Sequence, residues 1–117
     1  MRRLAFALVL ASAPTIAQPV PTSPFRSVQL LGGGEVEIHP GARQSVSLIA
    51  GDPAITGFSV DRSGQLKIAT CRRDCPARYR MKVLIVSPQA PDAAISGGGK
   101  IAFASGFAPT RDVAVAI

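Results

Sequence analysis

Six stretches of this chain alternate polar and apolar residues with period two, and that period limits what it can fold into. They are Ser27-Val28-Gln29-Leu30, Glu35-Val36-Glu37-Ile38, Ser45-Val46-Ser47-Leu48, Gln65-Leu66-Lys67-Ile68, Arg80-Met81-Lys82-Val83 and Asp112-Val113-Ala114-Val115. Successive side chains of a strand point to opposite faces, so each stretch reads as a strand with one buried face. Turn signals separate them: Gly32-Gly33-Gly34, Pro40-Gly41, Gly51-Asp52-Pro53, Ser63-Gly64 and Gly97-Gly98-Gly99. No window of about 11 residues after Ala17 carries a helical stripe. An all-β chain is expected, with strands starting near residues 27, 35, 45, 57, 65, 80, 93, 100 and 112. Starts about 8–12 residues apart suit either a β-sandwich or a β-solenoid. The alternation points Val28, Leu30, Val36, Ile38, Val46, Leu48, Leu66, Ile68, Val83 and Ile85 inward. It points Glu35, Glu37, Ser45, Ser47, Gln65 and Lys67 outward. Leu31-Gly-Gly-Gly-Glu35-Val36-Glu37-Ile38 is echoed by Ser96-Gly-Gly-Gly-Lys100-Ile101-Ala102-Phe103. Two copies are too few to define a repeat.

The N-terminus has a different pattern. Arg2 and Arg3 precede a short apolar run from Leu4 to Ala13, and small residues stand at Thr15 and Ala17. This is the pattern of a secretory signal peptide over residues 1–17, cut between Ala17 and Gln18. The run is shorter than the roughly 20 residues a membrane-spanning helix needs. Residues 18–24, with three prolines, read as an extended linker before a β domain over 25–117. No cysteine follows the leader at a lipobox position, and no second segment is long enough to span a membrane.

The 100 residues from Gln18 onward make at most one domain. They carry 11 basic and 7 acidic side chains. The densest basic group is Arg72, Arg73, Arg78, Arg80 and Lys82, a candidate patch for an anionic envelope polymer such as lipopolysaccharide or another surface glycan. The absence of Asn removes any N-glycosylation sequon. Aromatics are few, and Phe25, Phe58, Phe103 and Phe107 sit in or beside apolar patterns and read as core, not as a base-stacking platform for nucleic acid.

Cys71 and Cys75 enclose only Arg72-Arg73-Asp74. In an exported protein such a pair points to a disulfide. A redox role would need a low-pKa thiolate, which the flanking arginines favour, but three residues separate the cysteines and no βαβ pattern surrounds them. A zinc site would need two further ligands. His39, the sole histidine, lies beside a turn, and no nucleophile signature accompanies it. Glu35 and Glu37 share one strand face and read as solvent-facing. Gly97-Gly98-Gly99-Lys100 precedes a strand, whereas a phosphate-cradling loop opens a helix. No catalytic residue, metal ligand or cofactor site is therefore expected.

The order of these signals resembles a known family. Phe25-Arg26-Ser27-Val28 opens the domain, followed by the glycine turn and Val36-Glu37-Ile38. Ser45-Val46-Ser47-Leu48, Gly64-Gln65-Leu66-Lys67-Ile68 and Val83-Leu84-Ile85-Val86-Ser87-Pro88 follow, and then Ala94-Ile95-Ser96-Gly97-Gly98-Gly99-Lys100-Ile101. Over residues 25–117 this is similar to the "putative auto-transporter adhesin, head GIN domain" family of secreted bacterial proteins. The resemblance implies a right-handed parallel β-helix or β-solenoid, exported to the periplasm, cell surface or medium. It implies an adhesin-like or envelope-polymer-binding role and no catalytic residues. The Cys pair is a local elaboration of that pattern. Family members usually continue for further rungs, so a shortened chain, or one that self-associates through an open end, is expected. The competing expectation is a periplasmic enzyme or redox accessory using Cys71 and Cys75. A third is a fragment with no independent function.

Overall fold

The computed structural model describes residues 17–72, 74–107 and 115–116. All but Ala17 of the expected signal segment 1–17, Arg73 and most of Asp112-Val113-Ala114-Val115 lie outside those residues. Ten strands are present: β1 (Gln18–Pro19), β2 (Ser27–Leu31), β3 (Glu35–Pro40), β4 (Ser45–Ala50), β5 (Gly57–Val60), β6 (Gln65–Ala69), β7 (Lys82–Ser87), β8 (Asp92–Ser96), β9 (Lys100–Phe103) and β10 (Val115–Ala116). No helix occurs among the described residues, so none there is long and apolar enough to cross a membrane. The all-β expectation holds. All ten residues expected to point inward are at most 2% exposed. Alternation fixes facing because a one-residue slip would turn every Val and Leu out to water. Phe25 is buried with them, while Phe58, Phe103 and Phe107 pack at the margin of the core.

The strands form two mixed five-stranded sheets with the core between them. The first has the order β1-β4-β7-β3-β9 and the second β10-β8-β2-β6-β5. Two sheets facing across one core fit the β-sandwich alternative. Three pairs of consecutive strands cross from the second sheet to the first: β2 to β3, β6 to β7, and β8 to β9. These three arches stack with parallel pairing. They do not stack in chain order, as a progressively coiling solenoid requires. The β2–β3 arch lies in the middle, with β8–β9 on one side and β6–β7 on the other. β4 and β5 cause the break in order. They run antiparallel to β7 and β6, so the chain leaves a place in each sheet that β6 and β7 fill after a hairpin at residues 61–64. Asp61 sets that hairpin, its Oδ1 accepting from the Ser63 and Gln65 amides and the Ser63 hydroxyl.

The two glycine triplets turn out to be neighbours in space. β2 pairs with β8 up to Leu31 against Ser96, and β3 pairs with β9 from Glu35 against Lys100. The pairing continues round the corner: the Gly32 amide donates to the Ser96 carbonyl at 2.8 Å and the Lys100 amide to the Gly34 carbonyl at 2.9 Å. A Cβ on Gly97 would lie 3.0 Å from the Gly32 Cα, and Gly97 has a φ of +120°. Glycine is the residue that permits both the approach and the conformation. The third arch turns differently. Aligned by register, residues 70–81 stand where the other two have three glycines.

Smaller differences from expectation have local causes. β7 starts at Lys82 and not near residue 80, because the Met81 carbonyl is used to close the corner, accepting the Glu35 amide at 2.9 Å. The start of the proline-rich segment lies along the first sheet. Gln18 and Pro19 pair with Leu48 and Ser47 of β4, and the Val20 amide donates to the Val46 carbonyl.

The stacked corners make a paired test. Gly97→Ala is expected to cost of order 1–3 kcal/mol, the range for a side chain forced into a glycine conformation. Gly98→Ala, with nothing within 4 Å of its would-be Cβ, is expected to change stability by less than about 0.5 kcal/mol. Denaturant melts of both variants check this; equal midpoints would mean that the two arcs are not in contact.

Candidate functional site

The twelve-residue corner at 70–81 holds most of the residues that the sequence singles out, and it forms a small lobe. Thr70 and Met81 keep its base in the arch stack. The Thr70 amide donates to the Leu31 carbonyl at 3.1 Å and its hydroxyl donates to the Gly33 carbonyl. Cys71 and Cys75 are joined by a disulfide, with Cα atoms 5.8 Å apart. Asp74, inside the ring, has a φ of +52°, which Asp tolerates better than most residues.

The lobe is braced against the 51–56 connection between β4 and β5. The Tyr79 hydroxyl accepts the Asp52 amide at 2.6 Å and lies 2.7 Å from the Thr56 hydroxyl. Buried Thr56 in turn donates to the Thr70 carbonyl at 2.9 Å. The Arg72 amide donates to the Ile55 carbonyl, and the Arg72 guanidinium donates to the Ala54 carbonyl at 3.1 Å. Thr56 and Tyr79 stand in no periodic pattern and carry no signal as sequence, whereas Thr70 continues the inward alternation of Leu66 and Ile68.

The basic group is divided by this geometry. Arg80 and Lys82 share an open groove of about 460 Å³ at the root of the lobe, walled by Tyr79, Met81, Glu35 and Ala50. Arg72 lines a second groove of about 280 Å³ with Pro19, Val20, Pro21 and Phe58. Arg78 is exposed on the lobe. Arg73 lies outside the described residues. Lys82 is also drawn inward on the sheet face, its Nζ lying 3.1 Å from Glu37 Oε2.

That face explains the two glutamates and the histidine. Glu35 pairs with Lys100 at 3.6 Å, and Glu37 takes both Lys82 and His39 Nε2, the latter at 3.2 Å. Each carboxylate is matched by a cation on an exposed sheet surface. The Glu37 carboxyl is held below its ordinary 4.5, first by the hydrogen bond from Lys82 and then by that from His39. His39 faces this carboxylate rather than a hydroxyl or thiol. Among the described residues, no three His, Cys, Asp or Glu side chains gather to hold a metal.

No family profile and no curated protein matches the chain. Solved structures do match in fold. A protein described as a "putative adhesin" from Bacteroides fragilis NCTC 9343 superposes with a TM-score of 0.63 at 15% identity, covering 79% of this chain and 44% of that one. A "putative lipid binding protein" from Parabacteroides distasonis ATCC 8503 superposes with a TM-score of 0.56 at 14% identity, covering 76% of this chain and 40% of that one. The chain thus spans less than half the length of either neighbour. At these identities the likeness is one of fold.

Two outcomes test the site. Replacing both cysteines by Ser is expected to cost up to about 2 kcal/mol, the scale for so small a loop. Hydrogen exchange should quicken at the Arg72 amide and stay slow at the Thr70 amide, which belongs to the arch stack; quickening at both would show that the disulfide supports the core. The second outcome concerns acid. A depressed folded-state pKa contributes stability above the unfolded value and loses it as the pH falls through the folded value. The stability difference between the native chain and Glu37→Gln should therefore shrink as the pH drops below 4.5, and a difference that widens in acid would contradict the pairing.

Proposed function

We propose that this is an exported, non-enzymatic, adhesin-like protein of the cell envelope that binds an anionic envelope polymer through the lobe at 70–81. The observation that carries the proposal is the lobe itself. Two arches turn with three glycines, while the third spends twelve residues, closed by a disulfide and braced by Tyr79, on a cationic projection. Arg78 and Arg80 are exposed there. Guanidinium groups offer planar, paired donors to phosphate and carboxylate oxygens. A loop ordered before binding loses less entropy when it binds. The signal-like residues 1–17 and the disulfide support export, with Ala17–Gln18 as the cleavage point. The adhesin named among the fold neighbours supports the role. In this reading the three parallel arches are the short solenoid-like part of a head GIN-type domain, and His39, Glu35 and Glu37 serve the sheet surface and not a reaction.

The test is binding of the exported chain to an array of lipopolysaccharides, other acidic glycans and neutral polysaccharides. Binding is expected to the acidic members and to weaken with salt. Arg78→Glu with Arg80→Glu should weaken it by at least about tenfold, or 1.4 kcal/mol. Arg43→Glu with Arg62→Glu, a matched double charge reversal at two exposed turn positions away from the lobe, should have little effect. Equal loss from both changes would mean that net charge is sufficient and the lobe is no site.

A further inference from the structure

We infer that Gln18 is a modification site: as the N-terminal residue of the exported chain, it closes to pyroglutamate. This rests on the cleavage after Ala17 proposed above. In the step, the α-amine nitrogen attacks the side-chain carboxamide carbon Cδ. The N–Cδ bond forms, the Cδ–Nε2 bond breaks, and ammonia leaves with the proton the amine gives up. No oxidant or co-reactant is needed.

The structure places the residue for this. Gln18 is exposed, and its carboxamide makes no hydrogen bond among the described residues. Nothing there holds it away from its own backbone nitrogen. The main chain just beyond is held. Pro19 pairs against Ser47, and the Val20 amide donates to the Val46 carbonyl at 2.9 Å while Val20 packs against the core. Ring closure consumes only the amine and the carboxamide, so Pro19 and Val20 keep their places. Pro19, which lacks an amide hydrogen, sits at the non-hydrogen-bonded position between two bonded ones, where its missing donor costs nothing. The product has no terminal charge on β1 and no free amine for an aminopeptidase. Both consequences suit a chain that lives outside the cytoplasm.

Intact mass and N-terminal sequencing of the full chain, expressed with its leader and purified after export, test the inference. The expected mass is that of residues 18–117 with one disulfide, less one ammonia, and sequencing should release no residue. Gln18→Ala should give the full mass and a readable Ala at the first cycle. A native chain that begins with a readable Gln18 at full mass, and stays so after prolonged incubation at neutral pH, would overturn the inference while leaving export intact. A chain that still begins at Met1, or is cut elsewhere, would overturn both the cleavage and the modification.

Discussion

The rest of the fold depends on the contact between two backbone corners. Gly32 and Gly97 meet almost Cα on Cβ position, and a Cβ on Gly99 would lie 2.7 Å from the Gly32 carbonyl oxygen. That closeness lets β2 and β8 stay hydrogen-bonded right to the bend, and lets β3 and β9 resume pairing one residue after it. Each arch can then deliver its apolar residues at the same height as its neighbour's. Val28 faces Leu66 on one side and Ala93 on the other, and Val36 lies level with Val83 and Ile101. A core made of short Val, Leu and Ile columns needs that alignment, because interiors tolerate few voids.

How much of this was legible depends on what a period of two encodes. It encodes facing, so the letters alone place Val28, Leu66 and Ile85 inward. It does not encode which strand lies beside which. The glycine echo carried that information for β2–β3 and β8–β9, since identical corners stack well, but two copies could not separate neighbours from distant look-alikes. Nothing local marks the insertion of β6 and β7 between β4–β5 and β2–β3. That order follows from β4 and β5 running against their neighbours, a choice made by long-range pairing. The Val83-Leu84-Ile85-Val86 run held a hint. Such a run is apolar on both faces and belongs to an interior strand, and β7 is the centre of the first sheet.

The candidate site was legible as a list of residues and not as an arrangement. The cysteine pair and the arginines declare themselves by type. Their separation into two grooves comes from the side on which each leaves the loop, with Arg72 turning toward the 51–56 connection and Arg80 toward Glu35. Single polar residues supply the bracing. Thr56 and Tyr79 look like ordinary loop residues until the chain brings β4–β5 against the β6–β7 corner. Gln44 is similar: its carboxamide oxygen and nitrogen bond the Phe25 amide and carbonyl, replacing one rung of a ladder where no strand continues. A side chain that imitates a peptide unit leaves no periodic trace.

The position of the lobe follows from the same stack. The corners of β2–β3 and β8–β9 lie against each other: a larger residue at Gly97 or Gly99 would collide with backbone, and one at Gly32 would press on the Thr70 side chain. Neither corner has room to grow inward or sideways. The β6–β7 corner meets the Gly32–Gly34 arc on its inner side, through Thr70 and Met81. Arg78 and Arg80 project away from it, while Arg72 lies against Gly57 of β5. On its other side the 51–56 connection stands close enough to accept hydrogen bonds from it. That corner is therefore the one of the three where a long loop gains a second wall instead of breaking a contact, and the disulfide fixes the part of the loop that this wall does not reach. Sequence change at Arg78 or Arg80 can then alter the exposed surface of the lobe while the arches beneath it keep their register.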